Sequence, residues 1–499
     1  MLSLWVSRPV ERRKNIYPRQ VVMERRSLLH TQAPLFPLQI PPNIFKSSQL
    51  EATASMGSSA IHIREAVVVT PSEPTPSTIL PLSALDSQPF LRFTIEYLLI
   101  FKPPHRQAGS HQALISACLK SALAQALVPY YPLAGRVRPS PQGTLLEVVC
   151  QAQGAVFIEA ASDHVAANFE WAPRHITQWR RLLSLCVPDV LQGGPSLVVQ
   201  LTWLRDGNAA LGVGFNHCLI DGIGSGEFLN SFAELARRQE LGGRGELTPK
   251  PVWDRHYVDS ICPHETSREY SGASAAAGEF SQVLDISGLN SRFSSERLVP
   301  TAVVFDRTSL NELKKAASST SMYTSFEVLS AHVWRSWARS LNLPSNQVLK
   351  LVFSTNIRNR VEPGIPNGYY GNAFVLARLQ STARDLTEKG LGHVTRLVKR
   401  AKDRVGPEYV RAIIDSVREG RVEADLTSTL VISQWSTLGL DRVDFGMGRP
   451  VHIAPICCDR YCLILPRTGG RQDGVKVMVA VPASAVDKYE RLVKNTSCS

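Results

Sequence analysis

The residues with the clearest capacity for chemistry lie in one stretch, GFNHCLIDGIGSGEFLNSF, residues 214–232 of a 499-residue chain. Strand-like apolar residues stop at His217, Asp221 follows four positions on, and Gly222, Gly224 and Gly226 come before an amphipathic run. Histidine is the side chain whose unperturbed pKa best suits proton transfer near neutral pH. Glycine tolerates tight turns and lets a ligand or another backbone come close. The order therefore predicts a strand, a turn on the three glycines, and a helix, with the histidine at the strand's end. A metal site would need further ligands at helical or strand spacing, and none stands nearby. A serine hydrolase would carry GxSxG, which is absent. On these residues alone His217 is either a base or an ordinary core histidine.

The rest of the chain narrows the choice. Hydrophobic residues make up 44% and charged residues 20%, a balance that suits a water-soluble globular protein, and the length predicts two or three domains. No apolar run approaches the ~18 residues a spanning helix needs. The net charge is +12, but residues 1–55 concentrate it, with eight Lys/Arg against three Asp/Glu. No basic stripe or nucleic-acid motif appears, so no nucleic-acid partner is expected. The nine cysteines include no CxxC pair. The tightest group, Cys457, Cys458 and Cys462, lacks ligand spacing and predicts buried thiols in a reducing compartment. The Arg-rich N-terminus has no long apolar core of a secretory signal. It reads as a transit peptide, a disordered tail, or codons upstream of a start at Met56, and Glu11 and Glu24 weigh against transit.

Periodicity predicts how these residues are positioned. Residues 61–71 and 90–102 read as strands, and 75–86 as a loop. A helix follows, with apolar positions at Leu114, Cys118, Leu119, Leu123 and Leu127, and Pro129 and Gly135 beyond its end. SLVVQLTWLRDG and ALGVGFNHC read as a hairpin turning on Asp206-Gly207-Asn208, so a strand delivers His217. Residues 241–282 are rich in Gly, Ser, Ala and Pro and predict a linker. After it come a strand at 301–306, helices over 309–318 and 325–341, the strand VLKLVFSTNIR, a helix near 384–404, the strand STLVISQW, and a closing hairpin of YCLILP with GVKVMVAVP. The predicted layout is an N-terminal extension (1–56, disordered), a first domain (57–245), a crossover linker (246–282) and a second domain (283–499).

Several segments together resemble one family. NHCLIDG (216–222) is similar to the HxxxDG site of the plant BAHD acyl-CoA-dependent acyltransferases, and DFGMGRP (444–450) to their DFGWGKP signature. LPLSALD (80–86), YPLAGR (131–136), SFEVLSAHVWR (325–335), NIRNR (356–360) and GYYGNA (368–373) occur in the family's order. The resemblance spans about residues 58 to 490. It implies an α/β fold of two similar mixed-sheet domains, of the chloramphenicol acetyltransferase type, with a solvent channel between them. It also implies acyl transfer from a CoA thioester to an acceptor, without metal, bound cofactor or covalent enzyme intermediate.

By that resemblance His217 is the general base, and Asp221 points away from the substrates and holds the loop. Asp444, Gly446 and Gly448 are architectural, with Arg358 as the partner of Asp444. Ser433 and Trp435, in ISQW, could donate to the reacting carbonyl, or Trp435 could be plain wall. Tyr370 and Asn372 are expected to shape the channel. The family tryptophan of DFGWG is Met447 here, either a flexible packing residue or a weakened support for CoA. The style of 216–237 resembles the alcohol-acylating branch and favours an alcohol acceptor, a long aliphatic one among the candidates. A cytoplasmic monomer is expected, with acyl-CoA and that alcohol as its partners. Two alternatives stand: a non-catalytic partner in fatty-acyl metabolism, and an acyl-CoA thioesterase.

Overall fold

A computed structural model describes residues 61–103, 109–141, 143–241, 246–261, 285–318, 320, 322–421, 427–458, 461–469 and 473–496. The expected extension over 1–56 and most of the expected linker lie outside these residues. In chain order the strands begin with β1 (Ile61–Val69), β2 (Thr78–Pro81), β3 (Thr94–Phe101), β4 (Arg136–Pro139), β5 (Leu146–Cys150), β6 (Ala155–Ser162), β7 (Leu197–Leu204) and β8 (Ala209–Asn216). They continue with β9 (Leu298–Asp306), β10 (Val348–Asn356), β11 (Phe374–Thr382), β12 (Thr429–Gln434), β13 (His452–Pro455), β14 (Tyr461–Pro466) and β15 (Gly474–Pro482). The longer helices are α1 (Gly109–Ala126), α2 (Gly222–Leu241), α3 (Arg307–Ala317), α4 (Ser325–Ser340), α5 (Leu391–Asp403), α6 (Pro407–Arg418) and α7 (Val486–Lys494).

Two six-stranded mixed sheets organise the molecule. The first runs β1-β6-β7-β8-β3-β13 and the second β11-β10-β12-β14-β15-β9, while β2, β5 and β4 form a small third sheet. The predicted 75–86 loop thus contains a short strand. Strands β7 and β8 form the expected antiparallel hairpin, with Leu201 opposite Leu211, and every residue of both is buried. Continuous apolar runs of this kind are what a strand covered on both faces requires. The hairpin of β14 and β15 also forms, with Leu463 opposite Met478.

The second sheet separates two cores. On β14, Cys462 and Ile464 point into a core with Trp334, Trp337 and Val398, while Leu463 and Leu465 point into the other with Tyr97, Phe215 and Phe228. The two-residue period of a strand makes this division automatic. Helix α4 packs on the first of these faces. It starts with a capping box in which Thr324 Oγ1 accepts from Glu327 N at 3.3 Å and Thr324 N donates to Glu327 Oε2 at 2.9 Å. Helix α1 differs from expectation in its stripe: Leu114 is 65% exposed, and the buried face carries Ile115, Leu119, Ala122, Leu123 and Ala126.

One strand crosses the division that the sequence suggests. β13, from the C-terminal half, pairs antiparallel with β3, His452 opposite Ile100 and Ile453 opposite Leu99, and closes the first sheet. The loop before it follows the same route. Phe445 packs edge-on against Phe232 at 4.8 Å and Phe101 at 5.9 Å, and Met447 is 1% exposed in the same core.

Candidate active site

His217 follows the last residue of β8. Its backbone N–H donates to Phe93 O at 3.0 Å, and Leu219 N donates to Asn216 O at 3.0 Å, so the chain turns sharply there. The ring is 7% exposed, with Phe93 at 5.2 Å and Phe374 at 5.9 Å between centroids. Nδ1 is enclosed without a partner in hydrogen-bond geometry, so Nε2 is the nitrogen that keeps access to the surroundings. Burial pushes the imidazole pKa below its ordinary value. The His217 and Ile220 carbonyls, the Asp221 charge and the Asn372 amide oppose that shift without cancelling it. The ring is therefore neutral near pH 7, the form a base requires.

The glycines work differently from the expected turn. Gly222, Gly224 and Gly226 all lie in the first turns of α2 and none has positive φ. Their requirement is space. A Cβ on Gly224 would sit 2.2 Å from Tyr370 O, and one on Gly226 would sit 2.0 Å from Leu438 O. Helix α2 can start directly behind His217 only because two neighbouring backbones press against its first turns.

Asp221 does not touch the imidazole. Its Oδ1 accepts from Gly224 N at 2.8 Å and Arg358 Nη2 at 3.1 Å, and its Oδ2 accepts from Arg358 Nη1 at 2.8 Å and Ala373 N at 3.1 Å. This is a buried, bidentate pair whose remaining lone pairs are also satisfied. Arg358 Nη2 also donates to the carbonyls of Tyr369 at 2.9 Å and Gly371 at 3.3 Å. Burial acts to lower the Arg358 pKa, but the charge and hydrogen bond of Asp221, with the Glu227 and Tyr369 charges, together outweigh it and the net shift is upward. The expected pairing of Arg358 with Asp444 is thus corrected. Arg358 belongs to Asp221, and Asp444 caps its own loop, accepting from Gly446 N at 2.9 Å. Gly446 and Gly448 have φ of 86° and 79°, which favours glycine at both positions.

Tyr370 and Asn372 also depart from the expected channel role, since both are fully buried. The Tyr370 ring packs tilted against Tyr130 with 4.9 Å between centroids, and its carbonyl accepts from Asp221 N at 3.4 Å. Asn372 Nδ2 donates at 2.8 Å to both His217 O and Asp86 Oδ1. These two residues hold the turn rather than face a ligand. Ser433 is half-buried on β12 opposite Leu463, on the face of the second sheet turned toward the first core. Trp435 lies 4.6 Å from Tyr97, and the aromatic rings at His217 are Phe93 and Phe374 instead.

Two residues that sequence reasoning passed over complete the site. Asp86 is wholly buried and accepts from Ser83 Oγ at 2.7 Å, Asn372 N at 3.0 Å and Arg255 Nε at 2.8 Å. Arg255 Nη2 reaches Leu219 O at 2.7 Å. Asp86 ends the quoted LPLSALD segment, so a signal existed for it. Arg255 sits within linker-like composition and gave none. Elsewhere, Cys458 and Cys462 are buried and Cys457 half-buried. Among the described residues, no group of three His, Cys, Asp or Glu is placed to hold a metal, and no helix is long and apolar enough to cross a membrane.

Similarity to known proteins agrees with this geometry. Residues 59–495 match the transferase family. The chain is 32% identical to the omega-hydroxypalmitate O-feruloyl transferase of Arabidopsis thaliana over 446 residues, 86% of this chain and 92% of that protein. It is also 32% identical to that plant's fatty alcohol:caffeoyl-CoA acyltransferase, over 86% of this chain and 97% of the relative. In fold it is similar to vinorine synthase (TM-score 0.66, 19% identity, 88% of this chain and 100% of that one). It is likewise similar to F. graminearum TRI101 complexed with coenzyme A and T-2 mycotoxin (TM-score 0.64, 17% identity, 83% of this chain and 97% of that one). A buried neutral histidine, a carboxylate–arginine clasp behind it and a match over nearly the whole described chain lead to one conclusion: this chain belongs to the transferase family of plant BAHD acyltransferases.

Proposed function

We propose that the chain transfers an acyl group from a CoA thioester to an alcohol, with His217 as general base. The observation that carries this is the state of His217: a neutral imidazole, Nδ1 enclosed, on a turn whose carboxylate is fully occupied elsewhere. Nε2 takes the proton of the acceptor hydroxyl as its oxygen attacks the thioester carbonyl. The imidazolium then returns that proton to the departing thiolate, so the ring ends as it began. Holding donor and acceptor end to end supplies the proximity contribution. Ser433, on the wall between the cores, is the side chain we assign as donor to the developing oxyanion. Loss of one such donor typically costs ~3–4 kcal/mol in the barrier.

The relatives direct the choice of substrate. Two of them are named for long-chain hydroxylated acceptors and for feruloyl and caffeoyl donors, and another for (Z)-3-hexen-1-ol acetylation. A primary aliphatic alcohol and a hydroxycinnamoyl-CoA are therefore the first pair to test. The reading includes a monomer in the cytosol, checked by sizing the purified protein and imaging the tagged full-length chain.

The deciding experiment follows thiol release from acetyl-, benzoyl-, feruloyl- and long-chain acyl-CoA, with and without an alcohol panel, in wild type and His217→Ala. Release that requires alcohol and is lost in the variant is expected. Full-rate release without alcohol would make the protein a thioesterase. No release with any donor, or release unchanged in the variant, would overturn the His217 mechanism and favour a non-catalytic partner.

A further inference from the structure

We infer that Arg255 and Asp86 form a second positioning clasp, separate from Asp221–Arg358, which sets the catalytic turn by gripping the carbonyls of His217 and Leu219. The inference rests on the acyl-transfer reading for its kinetic consequence but not for its geometry. Arg255 is 4% exposed and Asp86 0%. Arg255 Nε meets Asp86 Oδ2 at 2.8 Å, and its Nη2 donates to Leu219 O at 2.7 Å. Asp86 Oδ1 in turn receives Asn372 Nδ2, whose other hydrogen goes to His217 O, both at 2.8 Å. One ion pair therefore reaches two carbonyls of the same turn, two residues apart, along two separate routes. That constrains the turn's rotation as well as its position.

The surroundings fix Arg255 itself. Its guanidinium lies 3.7 Å from the centroid of the Trp253 ring, and its Nη1 donates to Trp253 O at 2.7 Å. Gly371 has no side chain where the guanidinium lies: a Cβ there would come within 2.5 Å of Arg255 Cζ. The fork of donors is used in three directions, toward a carboxylate, the turn and its own segment. A lysine ammonium, a single point of charge, cannot hold all three. Three distant parts of the chain, near residues 86, 255 and 372, thus converge on the main chain of the base.

A loosened turn admits water to a ring that burial now keeps neutral, so the His217 pKa should rise toward its ordinary value. The test uses Arg255→Lys, which keeps the charge, and the neutral double variant Asp86→Asn/Arg255→Gln, which avoids a lone buried charge. Two readouts are taken on folded protein: NMR titration of His217, and kcat and KM for the acyl donor and the alcohol. The expected result is an upward shift of the His217 titration, with kcat lowered at least tenfold and donor KM within about twofold. A His217 titration identical to wild type in both folded variants would overturn the inference, as would wild-type kcat. If wild type itself transfers no acyl group, the acyl-transfer reading fails while the NMR titration still decides the clasp.

Discussion

The pH dependence of the reaction belongs to a single residue. His217 is buried and its pKa is pushed down, so the neutral base persists below the usual histidine range and is lost only as the pH falls through the lowered value. The acidic limb of kcat/KM should therefore lie below pH 6.5, the unperturbed value, and a limb at or above it would contradict the burial argument. Asp221 makes a different prediction. Asp221→Asn leaves Arg358 buried without its charge partner, and breaking such a pair costs ~3–5 kcal/mol. Thermal or denaturant unfolding should show a loss of that order, with activity falling alongside it. Met447 settles a question that its sequence left open. It is 1% exposed and belongs to the same core as Phe101, Phe232 and Phe445, so it packs. Met447→Ala should cost ~2–5 kcal/mol in stability while the KM for acyl-CoA stays near wild type, a split that steady-state kinetics and melting can resolve.

At the scale of elements, the start of α2 is the most exacting piece. Gly226→Ala would drive a methyl group to 2.0 Å from the Leu438 carbonyl, a backbone atom that no rotamer change can move aside. Overpacking of this kind usually costs ~1–3 kcal/mol, and here it pushes on the helix that follows the base. Activity per folded molecule should fall more than tenfold, whereas Gly448→Ala, with nothing within 4 Å but φ of 79°, should affect stability alone. The sequence announced these glycines but not their reason, because contacts with residues 370 and 438 cannot be read from local spacing. The same limit explains other differences. β7 and β8 were legible as apolar runs around a DGN turn, and the HxxxDG segment was legible as a site. The α1 stripe was displaced by one position because Leu114 fits the helical period yet faces outward. β13 is only four residues long, too short for alternation to register, and Arg255 lies within a composition that reads as linker.

For the whole molecule, β13 and the 445–447 loop tie the C-terminal half of the chain into the first core. A fragment covering residues 57–245 leaves the edge of β3 unpaired and the sites of Phe445 and Met447 empty. It should be insoluble alone, and recovered in soluble form only when residues 246–499 are supplied with it. The junction also carries an electrostatic burden. Lys476 on β15 reaches His452 Nδ1 on β13 at 3.4 Å, while Trp179 stands edge-on to the same imidazole at 5.7 Å. Burial lowers the Lys476 pKa to about 8 and pushes the His452 pKa well below its ordinary value. For a lysine so lowered, the unfolded chain holds more protons than the folded one between about pH 8 and its ordinary 10.5, so stability rises with pH across that window. Below it the buried charge opposes folding in full, by a few kcal/mol at ~1.4 kcal/mol per pKa unit. Lys476→Met should therefore raise the melting temperature at pH 7, and the gain should shrink as the pH climbs from 8 to 10. A gain constant with pH would assign the effect to packing, and a loss at pH 7 would mean that the ammonium holds the two sheets together rather than straining them.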